Sequence, residues 1–426
     1  VKRVRAYIDS RGVYGRLSVR GNGAAKQLPL ADFLVNLLVV PDPSVVLQLE
    51  DPLEEIVRVL CPDGLAMLAA KTVRALGDDP EELADSLRQD PRIEMAEVTE
   101  DGGSWLRIWK KRPPGMAEWT HFRYGPQGNA ASPDALVGVP NSVRWIADSR
   151  AWPKKHFDHL FAAVSARGRL FCIFDESPAG FQVPRQLRLI ARDAYNGILL
   201  WKRPLPAGLL GKEWNHGNRH DAWLVNKLVA VDEHVFVTDM GRVLRLDAST
   251  GEVVCTYEDI EPRQMVVAGG RLFVTGNDQE TPLQCFDVAT ATRRWKYANH
   301  VEHFVWGTDR VFFVDLDGQS VCLDAETGRP EWRQDYSDVW KGVKRLKFRR
   351  VVSCNKDVLI TSGQARSCAL QGVSVSDGRH LWSFEYTDPY HNFFNSAKNA
   401  FILDGLIWVN RQNSGNVPND TSWVAL

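Results

Sequence analysis

The 426-residue chain carries 52 basic and 53 acidic side chains, so no net field favours nucleic acid or an anionic membrane surface. Its length suggests more than one unit, and no apolar run reaches the roughly 18 residues needed to span a bilayer. Fifteen tryptophans are an excess that needs a cause, and the seven cysteines form no CxxC pair, no adjacent pair and no set with zinc spacing, so no metal is expected.

Residues 1–112 alternate helix and strand signals, which predicts a parallel α/β unit. VKRVRAYIDSRG reads as a short amphipathic helix, YGRLSV as a strand, and ADFLVNLLVV as a strand buried on both faces, as central parallel strands require. LEEIVRVLCPDGLAMLAA predicts a helix stopped by Pro62 and Gly64 and followed by a strand; a helix near 80–89 and strands at IEMAEV and SWLRIWKK complete the unit.

ADFLVNLLVV followed by VLCPDG resembles the fourth strand, and the "LxPGG" turn before the fifth, of class I S-adenosylmethionine methyltransferases. The resemblance covers about a hundred residues and implies the C-terminal half of a Rossmann-like domain. That family binds its cofactor with a Gly-rich loop after strand one and an acidic residue ending strand two, and neither lies in this chain. GNG at 21–23 follows the third strand instead and reads as a turn before it reads as a nucleotide contact. S-adenosylmethionine binding is therefore not expected here, and a methyltransferase is a reading only of a longer parent.

Residues 113–140, rich in Pro and Gly, are read as a linker. From 141 to 426 the chain repeats: ARDAYNGILLW (191–201), RLDASTGEVVC (245–255), CFDVATATRRW (285–295), CLDAETGRPEW (322–332) and GVSVSDGRHLW (372–382). The first column, Asp193, Asp247, Asp287, Asp324 and the degenerate Ser374, has spacings of 54, 40, 37 and 50. The Asp caps local N–H groups, the glycine column (Gly197, Gly251, Gly328, Gly378) closes a tight hairpin turn, and Trp201, Trp295, Trp332 and Trp382 open an outer strand. Cys255 occupies the Trp column, while Cys285 and Cys322 sit two before the Asp, where small buried thiols pack as hydrophobes.

These residues resemble the tryptophan-docking motif of pyrroloquinoline-quinone dehydrogenases and their cofactor-free propeller relatives. The resemblance implies a mainly β chain with a quinoprotein-like β-propeller of about five to six blades, in which the motif holds blades together without touching cofactor. The chain ends at Leu426, one residue before a sixth Asp would fall, so a fragment of a longer protein is expected. The order of half-domain, EWTH segment and propeller resembles large bacterial proteins with PQQ-binding-like repeats, frequent in planctomycetes, which implies export.

Candidate ligand residues lie on loops outside the repeat: His156, Asp158 and His159; Asp175 and Glu176; and Glu213, His216, Arg219, His220 and Asp221. Such groups bind a divalent cation or an acidic sugar, or are solvated loop polars. DPYHNFFNSAKN, with His391, Asn392 and Asn395, is a second polar loop, and His300 and His303 read as local hydrogen bonders. The basic run KGVKRLKFRR at 341–350 is read as a solvated strand or loop, not a nucleic-acid contact. With no adjacent Cys pair and no Asp matched to a catalytic base, neither quinone nor calcium is expected. The reading is a non-catalytic module for a protein or carbohydrate partner, the alternatives being a quinone-dependent dehydrogenase or a parent methyltransferase.

Overall fold

A computed structural model describes residues 2–11, 26–100, 102–139, 143–146, 160–177, 185–206, 209, 226–260, 262–276, 282–340, 347–364, 368–386, 400–412 and 421–425. They fall in two compact units, Val1–Met116 with Leu136–Ile146, and Ala117–Ala135 with Ala147–Leu426.

In the first unit the described elements are α1 (Lys2–Ser10), β1 (Val35–Val40), α2 (Pro52–Val59), β2 (Leu60–Ala69), α3 (Ala70–Ala75), α4 (Pro80–Leu87), β3 (Ile93–Thr99) and β4 (Trp105–Lys110). The sheet order is β1-β2-β4-β3, with β1 and β2 parallel and both other pairings antiparallel. Of the expected parallel unit, the β1–β2 pair is parallel, whereas β4 returns from β3 through a short turn and inserts beside β2, and a connection that short can only make an antiparallel pair. The expected burial of β1 on both faces also fails. It is a terminal strand of the described sheet, and Leu37 and Val39 are 56% and 47% exposed.

Helix α2 starts where Asp51 accepts a hydrogen bond from the Glu54 N–H at 3.0 Å and Pro52 opens the first turn. It ends earlier than expected, because Leu60 is already extended and Pro62 and Gly64 lie inside β2, where the pairing jumps from Val35–Leu60 to Leu37–Leu65. The buried Lys110 ammonium donates to Val57 O (2.6 Å) and Leu60 O (2.8 Å) over the Phe33 ring, satisfying carbonyls that the helix end leaves open. The expected strand YGRLSV and the GNG turn lie outside the described residues.

Among the described residues the second unit contains six antiparallel sheets in which consecutive strands are neighbours. Sheet 1 comprises Leu160–Ala166, Arg169–Asp175, Leu187–Asp193 and Leu199–Pro204; sheet 2, Leu228–Val231, His234–Thr238, Val243–Asp247 and Val253–Tyr257. Sheet 3 comprises Pro262–Ala268, Arg271–Gly276, Gln284–Asp287 and Arg293–Lys296; sheet 4, Phe304–Gly307, Arg310–Val314, Ser320–Asp324 and Pro330–Gln334. Sheet 5 comprises Lys347–Cys354, Val358–Gln364, Cys368–Ser374 and His380–Tyr386, and sheet 6 has three described strands, Phe401–Leu403, Leu406–Gln412 and Thr421–Ala425.

Strand alternation explains how they stack. On the first strand of sheet 3, Met265 and Val267 join the core shared with sheet 2, while Val266 and Ala268 join the core shared with sheet 4. Every consecutive pair of sheets encloses a core of this kind. The first strands of successive sheets are neighbours from sheet 1 to sheet 6, which is how propeller blades pack through their first strands.

Candidate functional site

The repeated turn forms as its residues dictate. Asp193 Oδ1 accepts from the N–H groups of Tyr195 (2.8 Å) and Asn196 (3.0 Å), and Asp247 Oδ1 from Ser249 (2.8 Å) and Thr250 (2.9 Å). Four residues on, Gly197, Gly251, Gly328 and Gly378 sit at φ between 71° and 75°, each donating its N–H back to the first residue of the turn. The local amides and hydroxyls hold the Asp247 and Asp287 carboxyls down at about 2; at Asp287 the Arg294 guanidinium is the largest cause.

Three of the four following tryptophans donate to the next sheet. Trp201 Nε1 donates to Ala248 O at 3.0 Å, Trp295 Nε1 to Ala325 O at 3.1 Å and Trp332 Nε1 to Val375 O at 3.2 Å. The same three rings cover Gly251, Gly328 and Gly378, where an added Cβ would come within 2.6–2.7 Å of indole carbon. Within its own sheet, each Trp stands opposite a small residue: Ala191, Cys285, Cys322 and, opposite Trp382, Gly372. The thiols are therefore small fillers under an indole. Burial raises Cys285 to about 12 and pushes Cys322 up further, so both thiols are held in their neutral form.

The junction of sheets 2 and 3 departs from this in three coordinated ways. Cys255 replaces the Trp, Arg245 replaces the small residue opposite it, and Ala291 replaces the glycine of the next turn at φ 59°. Arg245 Nη1 and Tyr257 Oη (3.2 Å) both donate to Val288 O, the carbonyl that an indole takes at the other junctions. Ala291 and Cys255 both pack against the core shared by sheets 2 and 3.

Residues 117–129, expected as linker, are built into the second unit. They meet the first strand of each of the six described sheets, in order. The Ser165 N–H donates to Trp119 O (2.7 Å), the Ala230 N–H to Thr120 O (3.0 Å) and the Val267 N–H to His121 Nε2 (3.1 Å). After a turn in which the N–H groups of Thr120 and His121 donate to Tyr124 O, the Trp306 N–H donates to Pro126 O and the Cys354 N–H to Gln127 O, both at 3.0 Å. Asn129 closes the series by exchanging two hydrogen bonds with Ile402, at 2.8 and 2.9 Å.

Gly128 has φ 66°, and a Cβ on it would meet Val305 Cγ1 at 2.9 Å and Val352 O at 3.0 Å, so only glycine lets the segment approach. Because His121 Nε2 accepts, the neutral ring carries its proton on Nδ1 and donates to Thr120 Oγ1 at 2.8 Å. Burial lowers its pKa to about 3. The sequence reading missed this segment; Trp119, His121, Gly128 and Asn129 were visible, but nothing local announces what they bond.

Of the loop candidates, Asp175 and Glu176 are described. Asp175 is buried, and its Oδ1 accepts from the N–H groups of Ser177 (2.9 Å) and Gln186 (3.0 Å), capping the turn after the second strand; Asp315 caps the turn from Asp317 to Gln319 in sheet 4 in the same way. Glu176 pairs with Lys202. His156, Asp158, His159, Glu213, His216, Arg219, His220, Asp221, His391, Asn392 and Asn395 lie outside the described residues, as do 341–346 of the basic run. His303 Nε2 accepts from Arg350 Nη2 at 2.7 Å. Among the described residues no group of three or more His, Cys, Asp or Glu could hold a metal ion, and no helix is long and apolar enough to cross a membrane.

Residues 185–305 and 300–417 each match the family described as outer membrane protein assembly factor BamB. The chain belongs to that family. It is a PQQ-like β-propeller repeat chain. A curated relative, the lanthanide-dependent methanol dehydrogenase of Methylacidiphilum fumariolicum (strain SolV), is 29% identical over 107 residues, 25% of this chain; the match spans only 16% of that enzyme's length. Among solved structures, BamB from Moraxella catarrhalis aligns at 14% identity with a TM-score of 0.38, over 66% of this chain and 87% of that one. Quinohemoprotein alcohol dehydrogenase ADHIIG from Pseudomonas putida HK5 aligns at 12% with a TM-score of 0.45, over 70% and 57%.

Proposed function

We propose that this chain is a non-catalytic binding or assembly module whose propeller presents a rigid surface to a protein partner, as the family's description suggests for outer-membrane assembly. The observation that carries the reading is where the repeat spends its polar groups. The turn carboxylates bond their own turns, and the indoles of Trp201, Trp295 and Trp332 bond the next sheet, so the repeat is scaffold and not a source of reactive groups. Trp382 holds the same column in sheet 5. In this reading all four tryptophans, with their aspartates and glycines, dock blades. Export fits the same reading.

The rival is quinone-dependent oxidation. Adding pyrroloquinoline quinone and calcium to the purified chain, with methanol or glucose and an artificial dye, is expected to give no dye reduction; turnover above the protein-free control would overturn the proposal. The positive arm uses an unfolded outer-membrane β-barrel protein diluted from urea. Saturable binding, read by fluorescence anisotropy, is expected, and its absence would remove the assembly role while leaving the fold untouched.

The first unit is proposed as a methyltransferase-like half-domain without its cofactor loop. Its support is the parallel pair β1 and β2, joined through α2 across the VLCPDG segment.

A further inference from the structure

We propose that residues 117–129 act as an axial clasp, one short segment that ties the innermost strands of all six sheets together and closes one end of the space they surround. Three observations carry this. First, the acceptors Trp119 O, Thr120 O, His121 Nε2, Pro126 O, Gln127 O and Asn129 Oδ1 serve sheets 1 to 6 in turn, one each, with no sheet skipped. Eleven residues can touch six successive first strands only by crossing close to all of them.

Second, the donors share one end. Ser165, Ala230, Val267, Trp306 and Cys354 are each the last or next-to-last residue of a first strand, and Ile402 is the middle residue of Phe401–Leu403. The clasp therefore lies at the end where the first strand turns into the second. The opposite end, reached by the connections between sheets, is left as the face through which any ligand of the axis would enter.

Third, each first strand is paired on one side only within its sheet, so its inward N–H groups need acceptors from elsewhere. The clasp provides one at the same level in every blade. Asn129 bonds Ile402 across 273 residues of sequence, so the contact links the start of the unit to its last described sheet.

Amide-resolved hydrogen exchange on the whole chain tests this. The N–H groups of Ser165, Ala230, Val267, Trp306, Cys354 and Ile402 are expected to exchange through one shared opening, with closely similar protection factors. Asn129→Ala, which removes only the sheet 6 contact, is expected to accelerate all six by about tenfold or more, the loss of its two hydrogen bonds to Ile402 felt cooperatively. Acceleration confined to Ile402, or six unrelated rates in the unaltered chain, would overturn the clasp. If Asn129→Ala does not fold, the six rates in the unaltered chain decide alone.

Discussion

Gly328 leaves no space for a methyl group: a Cβ would sit 2.6 Å from Trp295 Cδ2, on backbone at φ 71°. Gly328→Ala is therefore expected to cost about 2 kcal/mol, by overpacking and by the left-handed backbone together, read as a lower urea midpoint. Ala291 occupies the same column under Cys255 instead of an indole, so Ala291→Gly is expected to be neutral or stabilising by a few tenths to about 1 kcal/mol, because it relieves only the backbone cost. Cys255→Trp should clash when Ala291 is present and be better tolerated with Ala291→Gly; a double-mutant cycle showing additivity would refute the pairing. The sequence displayed both departures, Cys255 and Ala291, but not that they face each other. They belong to different repeats, and only the stacking of sheet 2 on sheet 3 brings them together.

At the scale of the element, the clasp carries a pH dependence. Folded His121 stays neutral down to about 3, whereas in the unfolded chain it takes up a proton near 6.5. Between these values the unfolded state binds more protons, so stability is full above 6.5 and declines as pH falls toward 3. His121→Gln keeps an acceptor that does not titrate, and its melting temperature is expected to fall less steeply than wild type between pH 6.5 and 4; parallel slopes would count against it. Strands and turns of the repeat were legible because period-2 alternation and the Asp-to-Gly spacing are local. The clasp was not, because Pro and Gly read as linker wherever the acceptors' partners are distant in sequence. The burial of β1 was misjudged for a related reason: an apolar run looks the same whether its strand is central or, as Leu37 and Val39 show, at the sheet's end.

For the whole molecule, the repeat could be anticipated from periodicity, while the loop candidates could not be ranked, since a loop's His and Asp residues carry no periodic signal. The half-domain reading makes one further prediction. Calorimetry with S-adenosylmethionine is expected to show no heat of binding, and micromolar affinity would mean that the first unit builds its site without the Gly-rich loop. A last consequence concerns synthesis. The clasp acceptors run from Trp119 to Asn129 in the same order as the sheets they serve, and all precede Leu160, the first residue of sheet 1. A chain emerging from the ribosome thus exposes these acceptors before any of the six described sheets, and each sheet, as it is completed, meets a docking point already waiting beside the one just filled.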